Sequence, residues 1–171
     1  MNFDFSDDQK ELREQAQRFL RDRCTPKAVR RILEGGDTYD RELWKGVAEM
    51  GWTATVIPEE FGGLGLGYLE LCVIAEELGR VVAPIPFASS VYLATEAILL
   101  AGSAEQKAKY LPKLASGEAI GAFAIAEGAG AATPRTVRTT LKGGKLDGTK
   151  VPVADGNVAD FAVVLARTSD D

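Results

Sequence analysis

The stretch LPKLASGEAIGAFAIAEGAGAATP, residues 111–134, contains the change of pattern that decides the fold class. Up to Ala115 the apolar residues recur at helical spacing, and Gly117 is a typical helix terminator. GAFAIAE then has the pattern of a strand, and the small residues around Gly128 and Gly130 have the pattern of a loop. Helices are therefore expected before Gly117 and strands after it, which predicts an α+β chain.

Helical signals fill the chain before this stretch. Ser6 with Gln9 and Ser103 with Gln106 are capping boxes, in which each serine precedes a helix and a glutamine follows three residues later. The predicted helices run from Ser6 to Thr25-Pro26, over 27–34, from Asp40 to Gly51, over 68–79, over 87–101, and from Ser103 to Ala115.

Four strands are predicted after Gly117, over 121–127, 136–140, 146–153 and 161–168, with a turn at Gly143-Gly144. Four strands are too few to close a barrel or to cover both faces of a sheet. We therefore expect this part of the chain to represent only the beginning of a β domain.

The composition argues against several classes of function. Of the 171 residues, 46% are hydrophobic and 26% are charged, as in ordinary globular proteins, and the net charge is -5. A nucleic-acid partner is not expected, because binding phosphates requires clustered positive charge. The one basic cluster, Lys27 with Arg30 and Arg31, lies in a helical pattern and is interpreted as a solvated face. No apolar run is long enough to span a membrane, and the N-terminus lacks the apolar core of a signal peptide.

The counts of cysteine and histidine limit the chemistry further. The chain has two cysteines, Cys24 and Cys72, and no histidine. This usage fits a reducing compartment and predicts a cytoplasmic protein. It also excludes zinc sites of the usual Cys/His kind and any mechanism with imidazole as the base, so no metal ligand is predicted.

A second glycine-rich segment, Gly62, Gly63, Gly65 and Gly67, lacks the Gly-Lys-Ser/Thr ending of a P-loop. It is interpreted as a turn between a short extended segment and a helix, rather than as a ligand contact. Trp44 and Trp52 are interpreted as core anchors.

Four segments together carry a family resemblance. They are DDQKELREQAQRFL near the start, RELWKGVAEMGWTATVIPEEFGGLGLGYLELCVIAEELGR over 41–80, AEQKAKYLPKLASGE over 104–118, and LDGTKVPVADGNVADFAVVLART over 146–168. In this order they resemble the N-terminal half of an acyl-CoA dehydrogenase over essentially all 171 residues. The resemblance implies a helical N-terminal domain over 1–117 and a partial middle β domain over 118–171. The family's C-terminal four-helix domain is then absent from this chain.

The activity implied by the resemblance is FAD-dependent α,β-dehydrogenation of an acyl-CoA thioester, for example of a fatty acid or a steroid. In the family the glutamate that takes the α-proton lies in the C-terminal domain, so no residue of this chain is assigned a catalytic role. An electron-transfer flavoprotein or a similar acceptor is the implied redox partner, and the implied assembly is a homo- or hetero-oligomer with another acyl-CoA dehydrogenase subunit.

The same resemblance places the flavin beside the opening segment. The implied cofactor-binding residues are Phe123, Ile125, Ala126, Glu127, Gly130, Ala131 and Ala154. The chain departs from the family pattern at four positions around this site: Ala126 replaces a threonine, Ala131 and Ala132 replace a serine and an aspartate, and Pro152 stands where a tryptophan is usual. Each lost hydroxyl removes a hydrogen bond worth about 0.5–1.5 kcal/mol.

Two alternatives follow from these substitutions. The chain resembles subunits of heteromeric family members whose flavin site is degraded and is completed by a partner. Alternatively, it is a non-catalytic interaction module that kept the fold and lost the chemistry.

For residues 121–134 periodicity alone favours a plain strand and turn, without a ligand. Tyr92 and the predicted helix 87–101 are interpreted as core packing, with an acyl pocket as the alternative.

Overall fold

The computed structural model describes residues 4–168, and its helices all lie before Gly117. Residues 1–3 and 169–171, which end the two predicted domains, lie outside the described residues. The helices are α1 (Asp7–Arg23), α2 (Pro26–Glu34), α3 (Arg41–Glu49), α4 (Tyr68–Arg80), a π-helical segment (Ala88–Thr95) that continues into α5 (Glu96–Ala101), and α6 (Ala104–Ala115). Two short 3₁₀ turns, Trp52–Ala54 and Glu59–Phe61, connect α3 to α4.

The predicted helix starts are confirmed by their hydrogen bonds. The N–H of Gln9 donates to the hydroxyl of Ser6 at 3.2 Å, and the N–H of Leu43 donates to the carboxylate of Asp40 at 3.0 Å. The first helix ends before Thr25-Pro26, as predicted, and the same dipeptide begins α2, one residue before the predicted start at residue 27. Proline fits the first helical position because the N–H it lacks would have no partner inside the helix.

The predicted helix 87–101 is continuous but not uniformly α-helical. Its first part is π-helical, and the hydroxyl of Thr95 donates to the carbonyl of Ser90 at 2.8 Å. Ser90 also faces the first strand, because its hydroxyl accepts from the N–H of Gly121 at 3.2 Å. The π-helical segment is therefore the surface on which the strand part rests.

Two buried apolar clusters form the core of the described residues. The first joins α1, α3 and α4 around Trp52, which is 2% exposed and meets Phe19 edge-on at 5.3 Å. Trp44 is also buried, and its indole N–H donates to the carbonyl of Gly117 at 3.0 Å. The second cluster joins the 52–61 connection to α5 and α6 through Ile57, Ile98, Leu111 and Leu114. Both tryptophans therefore anchor the core, as predicted.

One buried residue of α4 does not follow the apolar pattern. Glu77 is 1% exposed. Its carboxylate accepts from the amide of Gln17 and from the guanidinium of Arg80, both at 3.1 Å. The interface between α1 and α4 is thus partly polar, with its charge paired and hydrogen-bonded.

The glycines after Ile57 shape a turn. A Cβ on Gly63 would overlap the carbonyl oxygen of Ile57, so only glycine fits where the chain passes that backbone. The N–H of Gly65 donates back to the same carbonyl at 2.9 Å. This geometry supports the interpretation of the segment as a tight connection into α4.

Four strands follow α6: β1 (Gly121–Ala124), β2 (Thr140–Lys142), β3 (Lys145–Asp147) and β4 (Phe161–Val164). β1 and β4 are parallel, with Gly121 opposite Phe161. β2 and β3 form an antiparallel hairpin around the predicted Gly143-Gly144 turn. An isolated bridge between Thr140 and Arg167 connects the two pairs. The α+β class is confirmed.

The predicted strand starts at Gly121 and Phe161 are confirmed, but all four predicted segments are longer than the observed strands. The segment 121–127 pairs with β4 only as far as Ala124, and the carbonyl of Ala126 instead accepts from the N–H of Val151 at 2.8 Å. The segment 136–140 is not a strand before Thr140, because the N–H groups of Arg138 and Thr139 are taken by a carboxylate.

The two later segments are also shorter than predicted. The predicted strand 146–153 stops at Asp147, since Gly148 has a φ of +151° and Pro152 has no N–H for a ladder. The predicted strand 161–168 keeps its ladder only to Val164, with a single bridge at Arg167.

Candidate functional site

A glycine-containing loop follows β1 at the edge of the strand part. Gly128 and Gly130 have φ values of +112° and +113°, and a Cβ on either would point into open space. Their requirement for glycine is therefore conformational rather than steric. The loop borders a cavity of about 220 Å³ whose walls are mostly small residues: Ile125, Glu127, Gly128, Ala129, Gly130, Ala131, Ala132, Thr136, Val137 and Arg138.

The carboxylate of Glu127 closes the base of this loop. One oxygen, Oε2, accepts from the N–H of Arg138 at 2.7 Å. The other, Oε1, accepts from the N–H and the hydroxyl of Thr139 at 2.9 and 2.6 Å. Oε1 also accepts from the ammonium of Lys150 at 2.7 Å. One side chain therefore joins the start of the loop, its return and a third segment.

Lys150 is the charge partner of Glu127. Its side chain is 7% exposed and that of Glu127 is 15% exposed, so the pair is largely withdrawn from water. The Lys150 ammonium, followed by the hydrogen bonds from Thr139 and Arg138, holds the pKa of the Glu127 carboxyl well below its usual range. The ammonium also donates to the carbonyl of Ile125 at 3.2 Å.

The structure brings four of the seven implied cofactor-binding residues to the cavity wall: Ile125, Glu127, Gly130 and Ala131. Ala126 lies between two of them, but its carbonyl is engaged with Val151. Phe123 lies within β1, opposite Val163.

Ala154 is placed elsewhere, in an exposed turn beyond Val151. The next residue, Asp155, has a φ of +53° and accepts a short hydrogen bond from the hydroxyl of the buried Ser89. This bond fastens the turn to the π-helical segment.

The residues that organise the loop, Thr139 and Lys150, were not assigned a role from the sequence. Thr139 was expected in the strand predicted over 136–140, and Lys150 in the strand predicted over 146–153. A lysine separated by 23 residues from its glutamate gives no local signal, and only the bridge between Glu127 and Val151 brings the two segments together.

A separate apolar groove of about 280 Å³ lies at the end of α4 and includes Phe87 and Tyr92. The two rings meet edge-on at 5.3 Å. Burial raises the pKa of Tyr92 to about 12. Both rings thus pack against the first core cluster and also line a surface groove.

The described residues 4–168 also bear on metal binding, membrane spanning and the basic cluster of α2. No group of three or more acidic, histidine or cysteine side chains in that range is placed to hold a metal ion. Among the same residues no helix is long and apolar enough to cross a membrane. The side chains of Lys27, Arg30 and Arg31 are exposed, as a solvated helix face requires.

Comparison with known proteins identifies the family. Residues 6–118 match the family model described as the acyl-CoA dehydrogenase N-terminal domain. The chain belongs to the acyl-CoA dehydrogenase family. This agrees with the resemblance carried by the four sequence segments.

Individual acyl-CoA dehydrogenases align over almost the whole chain. The mitochondrial isovaleryl-CoA dehydrogenase of Arabidopsis thaliana is 35% identical over an alignment of 170 residues that covers 96% of this chain and 42% of that protein. The acyl-CoA dehydrogenase complexed with FAD from Bacillus anthracis has a TM-score of 0.83 and 30% identity, over 96% of this chain and 30% of that one.

The ChsE4-ChsE5 complex from Mycobacterium tuberculosis has a TM-score of 0.85 and 30% identity, over 99% of this chain and 46% of the matched chain. This chain therefore spans less than half the length of these relatives. The similarity includes the strand part as well as the helices, since it extends well beyond residue 118.

Proposed function

We propose that the protein is a subunit, or part of a subunit, of an FAD-dependent acyl-CoA dehydrogenase. When bound, the flavin would accept the hydride removed from the β-carbon of an acyl-CoA thioester. The proposal rests on the family membership and on the relative that is a complex with FAD. The observation that carries it is the small-residue cavity beside the loop at the end of β1.

The residues of this cavity fit a flat cofactor through their backbone rather than their side chains. No described residue accepts a hydrogen bond from the N–H groups of Ala129, Gly130 and Ala131. These donors are exposed and remain available to a ligand. Because the side chains there end at a methyl group or less, a ring system can approach the backbone closely.

The assignments of Phe123, Ile125, Ala126, Glu127, Gly130, Ala131 and Ala154 to the flavin site form part of this proposal. Their support is unequal. Ile125, Gly130 and Ala131 line the cavity directly. Glu127 lines it but has its carboxylate engaged within the protein. Phe123 and Ala154 rest on the family resemblance alone.

A second candidate function is a partner subunit that does not retain flavin by itself. Ala126 and Ala131 favour it, because neither can offer the side-chain hydrogen bonds that the family pattern supplies at these positions. The relative that is a complex of two named chains makes pairing with an unlike homologue a reasonable assembly. The proposed function includes acyl-CoA as the substrate and an electron-transfer flavoprotein as the electron acceptor. It also includes a cytoplasmic location and a division into two domains near residue 117.

The deciding experiment uses the full-length protein, purified alone and together with a neighbour-encoded homologue. Its visible spectrum is recorded, and dehydrogenation of a panel of acyl-CoA thioesters is followed with an artificial electron acceptor. Flavin and activity in the protein alone support the leading proposal. Flavin and activity only in the mixture support the partner-subunit function. No flavin and no activity in either preparation would reject both.

A further inference from the structure

The loop between Glu127 and Arg138 is closed by a side chain and not by paired strands. Glu127 stands immediately before the loop, while Arg138 and Thr139 stand at its return. Both backbone N–H groups of the return donate to the Glu127 carboxylate, at 2.7 and 2.9 Å. We call Glu127, Thr139 and Lys150 the clasp. Without the clasp, the N–H groups of Arg138 and Thr139 would lose their described hydrogen bonds to the start of the loop.

The clasp is electrically balanced and protected from water. Lys150 contributes the positive charge at 2.7 Å from Glu127, and both side chains are mostly buried. An ion pair of this kind is sensitive to loss of one partner, because the other charge is then left without compensation. Lys150 also holds the carbonyl of Ile125, so the pair fixes the chain on the strand side of the cavity as well.

Within residues 128–131 the one N–H with a described acceptor is that of Gly128, which donates to the carbonyl of Val151 at 2.7 Å. The far part of the loop is shaped by hydrogen bonds between Thr133 and Thr136. Residues 128–131 are exposed glycines and alanines, whose side chains make no polar contact. Inside the loop, the hydroxyl of Thr136 donates to the carbonyl of Ala131 at 2.7 Å, which shapes the far part of the turn. The position of the backbone that faces the cavity is therefore set at its two ends.

We propose that Glu127 and Lys150 are positioning residues that preorganise loop 128–137 for a flavin bound through backbone groups. Their fixed geometry would offset the side-chain hydrogen bonds that Ala126, Ala131 and Ala132 do not provide. When the backbone of a ligand site is already ordered, binding does not carry the entropic cost of ordering it, and the affinity is higher. The role in flavin binding rests on the proposed function, whereas the ordering of the loop can be measured without any cofactor.

The test uses the full-length protein and three variants. Lys150→Met removes the charge with little change in side-chain length. Thr139→Val removes one donor to Glu127 and keeps both charges, which provides a milder variant should Lys150→Met fail to fold. Lys145→Met is the matched control, since Lys145 is exposed at the start of β3 and lies outside the clasp.

The first measurement is amide hydrogen exchange in the protein stripped of cofactor. The amides of Arg138 and Thr139 report the clasp directly because they are its backbone donors. We expect at least tenfold faster exchange at these amides in Lys150→Met, a smaller acceleration in Thr139→Val, and wild-type rates in Lys145→Met. Wild-type exchange in both clasp variants would overturn the inference.

The second measurement is the affinity of the same proteins for added FAD. We expect at least a tenfold weaker Kd in Lys150→Met and an unchanged Kd in the control. Faster exchange with an unchanged Kd would overturn the role in flavin binding while leaving the clasp established. If the wild-type protein binds no FAD, either alone or together with its homologue, the proposed function and the role of the clasp in flavin binding are both rejected. The exchange experiment still decides whether the clasp orders the loop.

Discussion

The hydroxyl of Thr53 offers a sensitive test of how the 3₁₀ turn Trp52–Ala54 is joined to the end of α6. Thr53 is completely buried, and its hydroxyl donates to the carbonyl of Ala115 at 2.7 Å. Ala115 is the last residue of α6, where carbonyl groups have no partner inside the helix. The change Thr53→Val keeps the branched shape of the side chain but removes the donor, leaving that carbonyl with no other donor among the described residues.

The expected loss follows from the energetics of buried polar groups. Leaving a buried acceptor without a partner costs about 1–3 kcal/mol. For a protein of roughly 150–250 residues this corresponds to a decrease in Tm of about 2–4 °C per kcal/mol. We therefore expect Thr53→Val to lower the Tm by about 2–12 °C, without the additional cost of a cavity.

The assay is thermal unfolding, repeated with urea, and both are followed by tryptophan fluorescence because Trp52 adjoins the substituted residue in the chain. The matched control is Thr38→Val, because Thr38 is exposed and the same substitution there should change the free energy of unfolding by no more than about 0.5 kcal/mol. A decrease in the urea midpoint at constant slope would support the reasoning. If Thr53→Val were as stable as Thr38→Val, the bond to Ala115 would contribute nothing to the junction.

Three further outcomes are expected. Because burial raises the pKa of Tyr92 to about 12 from 10.0, its contribution to stability is present below pH 10 and is lost as the pH rises towards 12. Tyr92→Phe should therefore lose less stability than the wild type over this range, and equal losses in urea unfolding would contradict the assignment. Cys72 is exposed, whereas Cys24 is buried and burial raises its pKa. A thiol reagent should modify Cys72 in the native protein and Cys24 only after unfolding, as peptide mapping would reveal. In the full-length protein, Ala126→Thr should strengthen FAD binding by about 2- to 12-fold, the equivalent of one net hydrogen bond. An unchanged Kd in a fluorescence titration would show that position 126 does not face the cofactor.

The sequence indicated the segment that borders the cavity but not the contacts that organise it. The family resemblance led to the segment 121–134, and four of the seven implied residues line the cavity there. The contacts that hold this segment come from Thr139 and Lys150, at sequence separations of 12 and 23 residues. No periodicity or spacing rule relates residues so far apart, so their pairing was not predicted.

The sequence by itself determined the helical part, because helices form from contacts within a few residues. Ser6, Thr25, Asp40 and Ser103 each cap the helix that follows. Each cap needs only a side-chain oxygen and an N–H three residues later, so the local order of residues suffices.

The strands and the buried charges were decided only by the tertiary structure. A strand needs a partner that is distant in the chain, and the segment 136–140 lost its expected strand because Glu127 took the N–H groups of Arg138 and Thr139. Glu77 likewise became buried in α4 only because Gln17 and Arg80 satisfy its carboxylate. A backbone N–H can donate to a neighbouring strand or to a charged side chain, and the tertiary structure decides which acceptor lies within reach. A buried charge must have its hydrogen bonds satisfied, so the backbone groups beside it become its donors.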